Sequence, residues 1–443
     1  MTGTAIRFII MQTIHKLNRK VAPPVKDARE FELELPPYVR HTLGNGIEVY
    51  AIDLGKVDAM MVSWIFDAGN SYETGKGVAA AVNTLLKNGT TTRKAFDISE
   101  HFDYYGAYLN RACHHETAEL TLHCLSHYLG ELVPVVAELL TESVYPEEEL
   151  AIYKKNSQQR LKVNLKKSDF VAGRLIDSYL YGGEHPYGTY NNTEDYQALG
   201  REDLVEFYRR RYQLGACRII AAGKLPADLI PLLERSFGAL PLRKPATGVA
   251  VPQFPIRPAD QKRYRITNDP DGVQGSIRIA RNFPSRHHPD FQRVQVLNNV
   301  FGGFFGSRLM TNIREDKGYT YGIYSYLVNN RQESALMIST EAGKEVCEPA
   351  IAEVYKEMNG LREELIDEEE LQMARNFAIG TVLGDLDGPF HVASRWKSIL
   401  LNGLDENYFR EGIRIVKTIT PEELRELAVK WLDPAEFFEL VVV

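Results

Sequence analysis

The run TLGNGIEVYAID at 42–53 places Gly44-Asn45-Gly46 between two extended stretches, which predicts a tight turn joining two strands. AMMVSWIFDAG at 59–69 is continuously apolar over strand length and reads as a buried strand. A helix is predicted over 77–88, closed by Gly89. AELTLHCL at 118–125 alternates apolar and polar positions in the manner of a half-buried strand, whereas 128–141 and 147–165 carry helical spacing. Near the far end, Thr420-Pro421-Glu422-Glu423 combines a capping box with proline at the first helical position. Strands followed by runs of helices predict α+β layers.

Two segments recur at nearly one offset. YPEEELAIYKKN at 145–156 returns as IDEEELQMARNF at 366–377, an offset of 221. REDLVEFYRRRYQLGACRIIAAG at 201–223 returns, ungapped, as PEELRELAVKWLDPAEFFELVVV at 421–443, an offset of 220. Glu202/Glu422, Leu204/Leu424, Glu206/Glu426 and Arg210/Lys430 match in the second pair, and both copies pass from an acidic helix start into a strand. The expectation is a duplicated domain of about 220 residues, larger than the usual length prior. The join falls in LPLRKPATGVAVPQFPIRPADQ, with five prolines and little periodicity. This divides the chain into an N-terminal leader or extension at 1–37, a first domain at 38–240, a linker at 241–262 and a second domain at 263–443.

Composition narrows the function classes. Charged residues make up 25% and hydrophobic ones 44%, both ordinary for globular proteins, and the net charge of −7 provides no basic footprint for nucleic acid. No uninterrupted apolar stretch reaches spanning length, so membrane insertion is not expected. Peptides, proteins or small molecules remain as partners. The four cysteines, Cys113, Cys124, Cys217 and Cys347, form no CxxC pair, so a reducing, cytoplasmic setting is the expectation. Residues 1–26 lack acids and carry five basic side chains around AIRFIIM. An organelle leader is the alternative there to a plain extension with Met11 as a natural start.

GVAAAVNTLLKNGT at 77–90, EHPYG at 184–188 and FGGFFGSRLMTNIREDKGYTYGIYS at 301–325 together resemble the pitrilysin/insulinase-like metallopeptidases in their two-domain bacterial form. This is the family of the inverted zinc motif HxxEH, and the resemblance runs from about residue 38 to the C-terminus. It implies two homologous α+β domains, each an antiparallel-rich sheet covered by helices, arranged as a clamshell. It also aligns the two zinc-binding histidines with Ala80 and Thr84, the general base with Asn83, and the third ligand with Arg160. A supporting acid aligns with Tyr153. The motif works because positions four apart on a helix face one metal while the intervening Glu takes a proton from bound water. Alanine has no donor, threonine is a poor ligand, asparagine accepts no proton at neutral pH, and arginine reverses the charge. No metal is therefore expected in this chain, with zinc placed in a partner. Arg160 either fills the vacant cation position or is a solvated helix-face arginine.

The second half differs. The resemblance implies that Arg314 and Tyr321, seven residues apart in IREDKGYTY, contact substrate at the zinc: Tyr321 donates to the developing oxyanion and Arg314 fixes a substrate carbonyl. The structural alternative is an Arg paired with a nearby acid and a core Tyr. Gly302 and Gly303 would permit close approach of an extended peptide, or serve a tight helix-to-turn connection. His114, His115, Glu116, His123 and His127 form a rival metal cluster, but strand alternation turns His114 and His115 to opposite faces, so surface or rim histidines are preferred.

Two function classes result. One is the zinc-less subunit of a two-subunit peptidase, paired with a homologous HxxEH chain and acting on peptides. The other is a scaffold or peptide-binding protein on the same fold, like core subunits of a respiratory complex. A peptidase acting alone would need a metal site that the sequence does not display.

Overall fold

The protein is described from a computed structural model that covers residues 26–244 and 252–443. The leader expected at 1–37 and the linker at 241–262 lie partly outside these described residues.

The first half runs β1 (Val39–Thr42), β2 (Glu48–Asp53), β3 (Met60–Phe66), α1 (Val78–Leu85), α2 (Ala95–Tyr104), β4 (Tyr108–Cys113), β5 (Ala118–Cys124), α3 (Leu129–Glu142), α4 (Glu147–Asn164), α5 (Ser168–Tyr181), α6 (Thr193–Ala198), α7 (Arg201–Tyr208), β6 (Cys217–Gly223) and α8 (Leu229–Phe237). The second runs β7 (Arg263–Ile266), β8 (Gln274–Pro284), α9 (Phe291–Asn298), β9 (Thr320–Asn329), β10 (Glu333–Gly343), α10 (Cys347–Glu363), α11 (Glu368–Asp385), α12 (Pro389–Leu401), α13 (Glu406–Thr418), α14 (Pro421–Trp431) and β11 (Phe438–Val442).

Duplication is visible in the sheets. Strand order is β1-β2-β6-β3-β5-β4 in one and β7-β11-β8-β10-β9 in the other. With β1 set aside, the orders superpose, and so do the directions: β2/β6 and β7/β11 are parallel, every other pair antiparallel. The repeated EEEL segments open α4 and α11, and the second repeat spans α7 to β6 and α14 to β11. Local signals act as expected. Gly46, at φ 87°, completes the β1–β2 turn. Thr420 and Glu423 exchange side-chain-to-backbone hydrogen bonds at the start of α14.

Each sheet is covered on both faces. In the first, Val62, Trp64, Phe66, Leu120 and Leu122 meet α1 and α3, while Tyr50, Ile52, Ile65, Ile220 and Ala222 meet Val392, Ala393, Trp396 and Ile399 of α12, from the other half. In the second sheet, Ala280, Met337, Phe438 and Leu440 meet Ala172, Ile176 and Leu180 of α5, from the first half. The halves thus exchange one helix each. This corrects the half-buried reading of 118–125: Glu119 bonds Lys397 of α12 and His123 packs edge-on against Phe390, so the polar face of β5 is also covered. Residues 26–38 tie the halves further. Trp396 Nε1 donates to Pro36 O at 2.7 Å, Ala28 N donates to Asn376, and Ala28 and Leu35 are buried against α12 and its neighbours. The last part of the 1–37 extension is therefore packed structure.

Candidate functional site

Helix α1 begins where Gly77 adopts φ 85° and the Glu73 carboxylate accepts from the backbone N–H groups of Gly77 and Ala79, at 3.1 and 3.0 Å. Burial pushes Glu73 up to about 7, against the pull of those two donors and of Lys76. Ala80 lines a cavity between the halves. Asn83 is buried, and its amide donates to Glu119 O at 3.3 Å and to the Tyr212 hydroxyl at 3.2 Å, tying α1 to β5. Thr84 is exposed, and its carbonyl accepts from the Arg111 guanidinium, whose Nε is buried without a partner among the described residues. On α4, Arg160 is exposed and forms no hydrogen bond or ion pair among the described residues. Tyr153, two turns earlier on the same face of α4, is pushed up to about 12 by burial.

This environment does not fit zinc. The α1 positions offer no imidazole or carboxylate, the amide between them is used in packing, and Arg111 supplies positive charge at Thr84. Among the described residues no group of three His, Cys, Asp or Glu side chains is placed to hold a metal ion. The histidine cluster divides: His114, His115 and Glu116 line the cavity, while His123 and His127 lie outside its lining. His115 bonds Asn70 at 3.1 Å and is held down to about 4 by burial, His127 pairs with Asp58, and His123 faces α12. His115 thus stands in the cavity wall, with the exposed His114 beside it.

The cavity, about 740 Å³, was not foreseen from the sequence. Its first-half wall includes Glu73, Cys113, His115, Glu116 and Arg174, and its second-half wall includes Asn329, Asn330, Arg331 and Lys397. Glu116 accepts from the Tyr187 hydroxyl and is raised by burial, while Arg331 reaches Asp67 at 3.4 Å. Burial raises the Cys113 thiol to about 12, which keeps it protonated at neutral pH.

Arg314 and Tyr321 lie elsewhere. The π-helical turn Met310–Asp316 carries Arg314, whose Nε donates to Tyr321 O at 3.1 Å and whose guanidinium covers the Phe305 ring at 4.6 Å. Tyr321 is 95% exposed. It stands at the start of β9, and Asn329 at the other end of that strand borders the cavity. Eight residues of strand separate the two, about 27 Å at ~3.4 Å per residue. The structure brings Arg314 and Tyr321 together, and neither lines the cavity that Ala80 borders. Gly302 and Gly303 lie in the π-helical turn Asn299–Gly303. A Cβ at Gly302 would meet Ser325 Oγ at 2.6 Å, so its close approach is to strand β9 of this chain.

Two family models match successive stretches of the chain, the second beginning within the first half. A family model described as Insulinase (Peptidase family M16) matches residues 53–186, and one described as Peptidase M16 inactive domain matches residues 198–377. An uncharacterized zinc protease of Bacillus subtilis (strain 168), YmxG, is 23% identical over 359 residues, 80% of this chain and 86% of that one. Among solved structures, a peptidase M16 inactive domain from Pseudomonas fluorescens aligns with a TM-score of 0.81 at 21% identity, over 91% of this chain and 98% of that one. A protease from Helicobacter pylori aligns with a TM-score of 0.82 at 16% identity, over 92% and 100%. No helix among the described residues is long and apolar enough to cross a membrane.

Proposed function

Because the chain belongs to the pitrilysin/insulinase-like M16 peptidase family, we propose that it is the zinc-free subunit of a two-subunit metallopeptidase, lending Arg314 and Tyr321 to the active site of a homologous HxxEH-bearing partner. The observation that carries this reading is the placement of the pair. A tyrosine 95% exposed, with no hydrogen bond to its hydroxyl among the described residues, does no packing work, yet its backbone carbonyl holds Arg314 beside it. Tyr321 faces outward, about 27 Å of strand away from the cavity edge at ~3.4 Å per residue, with the half-buried Arg314 beside it, so a target in another chain suits the pair better than one in its own. In this reading the Tyr321 hydroxyl donates to the oxygen that gains charge on a peptide carbonyl, and the Arg314 guanidinium orients the neighbouring carbonyl. The metal chemistry belongs to the partner, and the substrate is a peptide shared between the two chains.

The test is reconstitution. The purified chain is expected to cleave no peptide and to hold no stoichiometric zinc, and mixing it with a homologous HxxEH chain is expected to generate activity. Tyr321→Phe should fold normally and lower the turnover of the mixture about a hundredfold, the loss of one oxyanion donor. Unchanged turnover would transfer the chain to the scaffold class, and EDTA-sensitive cleavage by this chain alone would refute the proposal.

A further inference from the structure

A second cavity, about 330 Å³, opens among α9, α11, α12 and α13. Its depth is apolar, with Val296, Ala378, Ile399, Phe409 and Ile413 buried around it. Arg286 and Ser398 line both this cavity and the larger one, so the smaller chamber lies beside the larger. Within it, Arg395 pairs with Asp385 and rests on the Phe409 ring at 5.9 Å. Arg286 is half-buried, hydrogen-bonds only the Ser398 hydroxyl and has no carboxylate partner among the described residues. Burial and the nearby Arg395 both push its guanidinium pKa down. The lining therefore holds two guanidiniums against one carboxylate. A half-buried cation without a counter-ion is unfavourable, and an anion that supplies two charge-assisted hydrogen bonds relieves it. Beside an apolar chamber of small-molecule size, the complement is an anionic head on a hydrocarbon chain.

We propose that this smaller chamber binds a carboxylate bearing a short apolar chain, with Arg286 as its counter-ion and the α11–α13 walls around its tail. The proposal does not depend on the peptidase reading. Two sources offer this chemistry, a free medium-chain fatty acid and the C-terminal apolar residue of a peptide.

Isothermal titration of the full chain distinguishes them, with octanoate, uncharged octanamide, and the tripeptide Ala-Ala-Leu as free acid and as C-terminal amide. One or both acids should bind at one equivalent, at least about tenfold tighter than the matched amide, given the strength of a charge-assisted hydrogen bond. Arg286→Gln should remove that preference while leaving amide binding unchanged. Gly412→Leu places a side chain in the chamber from α13, where a Cβ meets only Gln292 at 3.6 Å or more, and should abolish binding without harming the helix. Octanoate binding alone identifies a free acid as the ligand, and binding of the free-acid peptide with the same Arg286 dependence identifies a chain terminus. Failure of both acids to saturate the wild-type chain, or an unchanged acid-to-amide ratio in Arg286→Gln, overturns the proposal.

Discussion

Lys397→Met removes the cation that α12 delivers to the first half and tests whether the helix exchange holds the halves together. Lys397 Nζ lies 2.8 Å from Glu119 Oε2, with side-chain exposures of 30% and 8%. At that distance and an effective dielectric constant of about 20, the gross attraction is roughly 6 kcal/mol, before the cost of drying both charges is counted. Breaking a buried pair from one side costs about 3–5 kcal/mol, because the remaining charge stays buried. The partial exposure of Lys397 lets water approach Glu119, which places the expected loss near the low end, about 3 kcal/mol. Glu119→Gln should cost only about 1 kcal/mol, since the lysine head can turn to solvent and the amide still offers an acceptor. The double variant leaves no unpaired charge and should recover to within about 1 kcal/mol of wild type. Urea unfolding of the four proteins supplies the cycle. A loss below 1 kcal/mol for Lys397→Met, or strict additivity in the double variant, would refute the reasoning.

Two further perturbations address the first half. Glu73 titrates near 7 in the folded chain against an ordinary 4.5, so the fold favours its protonated form. That contribution is complete below pH 4.5 and is lost as pH rises through about 7; Glu73→Gln should gain about 2–3 kcal/mol relative to wild type between pH 5 and pH 8 in urea titrations, and an equal difference at both pH values would count against it. Gly223 ends β6 at φ 124°, where a Cβ would meet Ala59 O at 2.4 Å, so Gly223→Ala should lose about 2 kcal/mol or more. A variant that melts with wild type would show that this close approach is relaxed in solution.

The sequence disclosed elements better than their partners. The helix at α1, the paired α4 and α11 segments and the capped start of α14 followed from spacing and local chemistry, which act within a turn or two. The duplication followed from offsets, and the matching strand orders agree with it. The destinations of α5 and α12 were hidden, because an amphipathic stripe such as Val392, Ala393, Trp396 and Ile399 shows that a face is buried and not which sheet buries it. For the same reason Glu119 and Thr121 looked like a wet strand face, although Lys397, 278 positions away, covers Glu119. The family resemblance singled out Arg314 and Tyr321 together, and only the fold shows Arg314 in the turn before β9 and Tyr321 at the start of that strand, at the end away from the cavity. The cavity itself draws on both halves, so no local pattern marks it.

The exchanged helices have a consequence for what counts as one folding unit. Each half leaves one sheet face open and carries the helix that fits the other half's open face, the reciprocal relation of a two-fold dimer interface. A single half, cut out at the linker, would keep an uncovered sheet beside an undocked helix, and a second copy of itself could satisfy both. The 443-residue chain is thus a homodimer's architecture written on one polypeptide, whose covalent link leaves its two members free to differ in sequence.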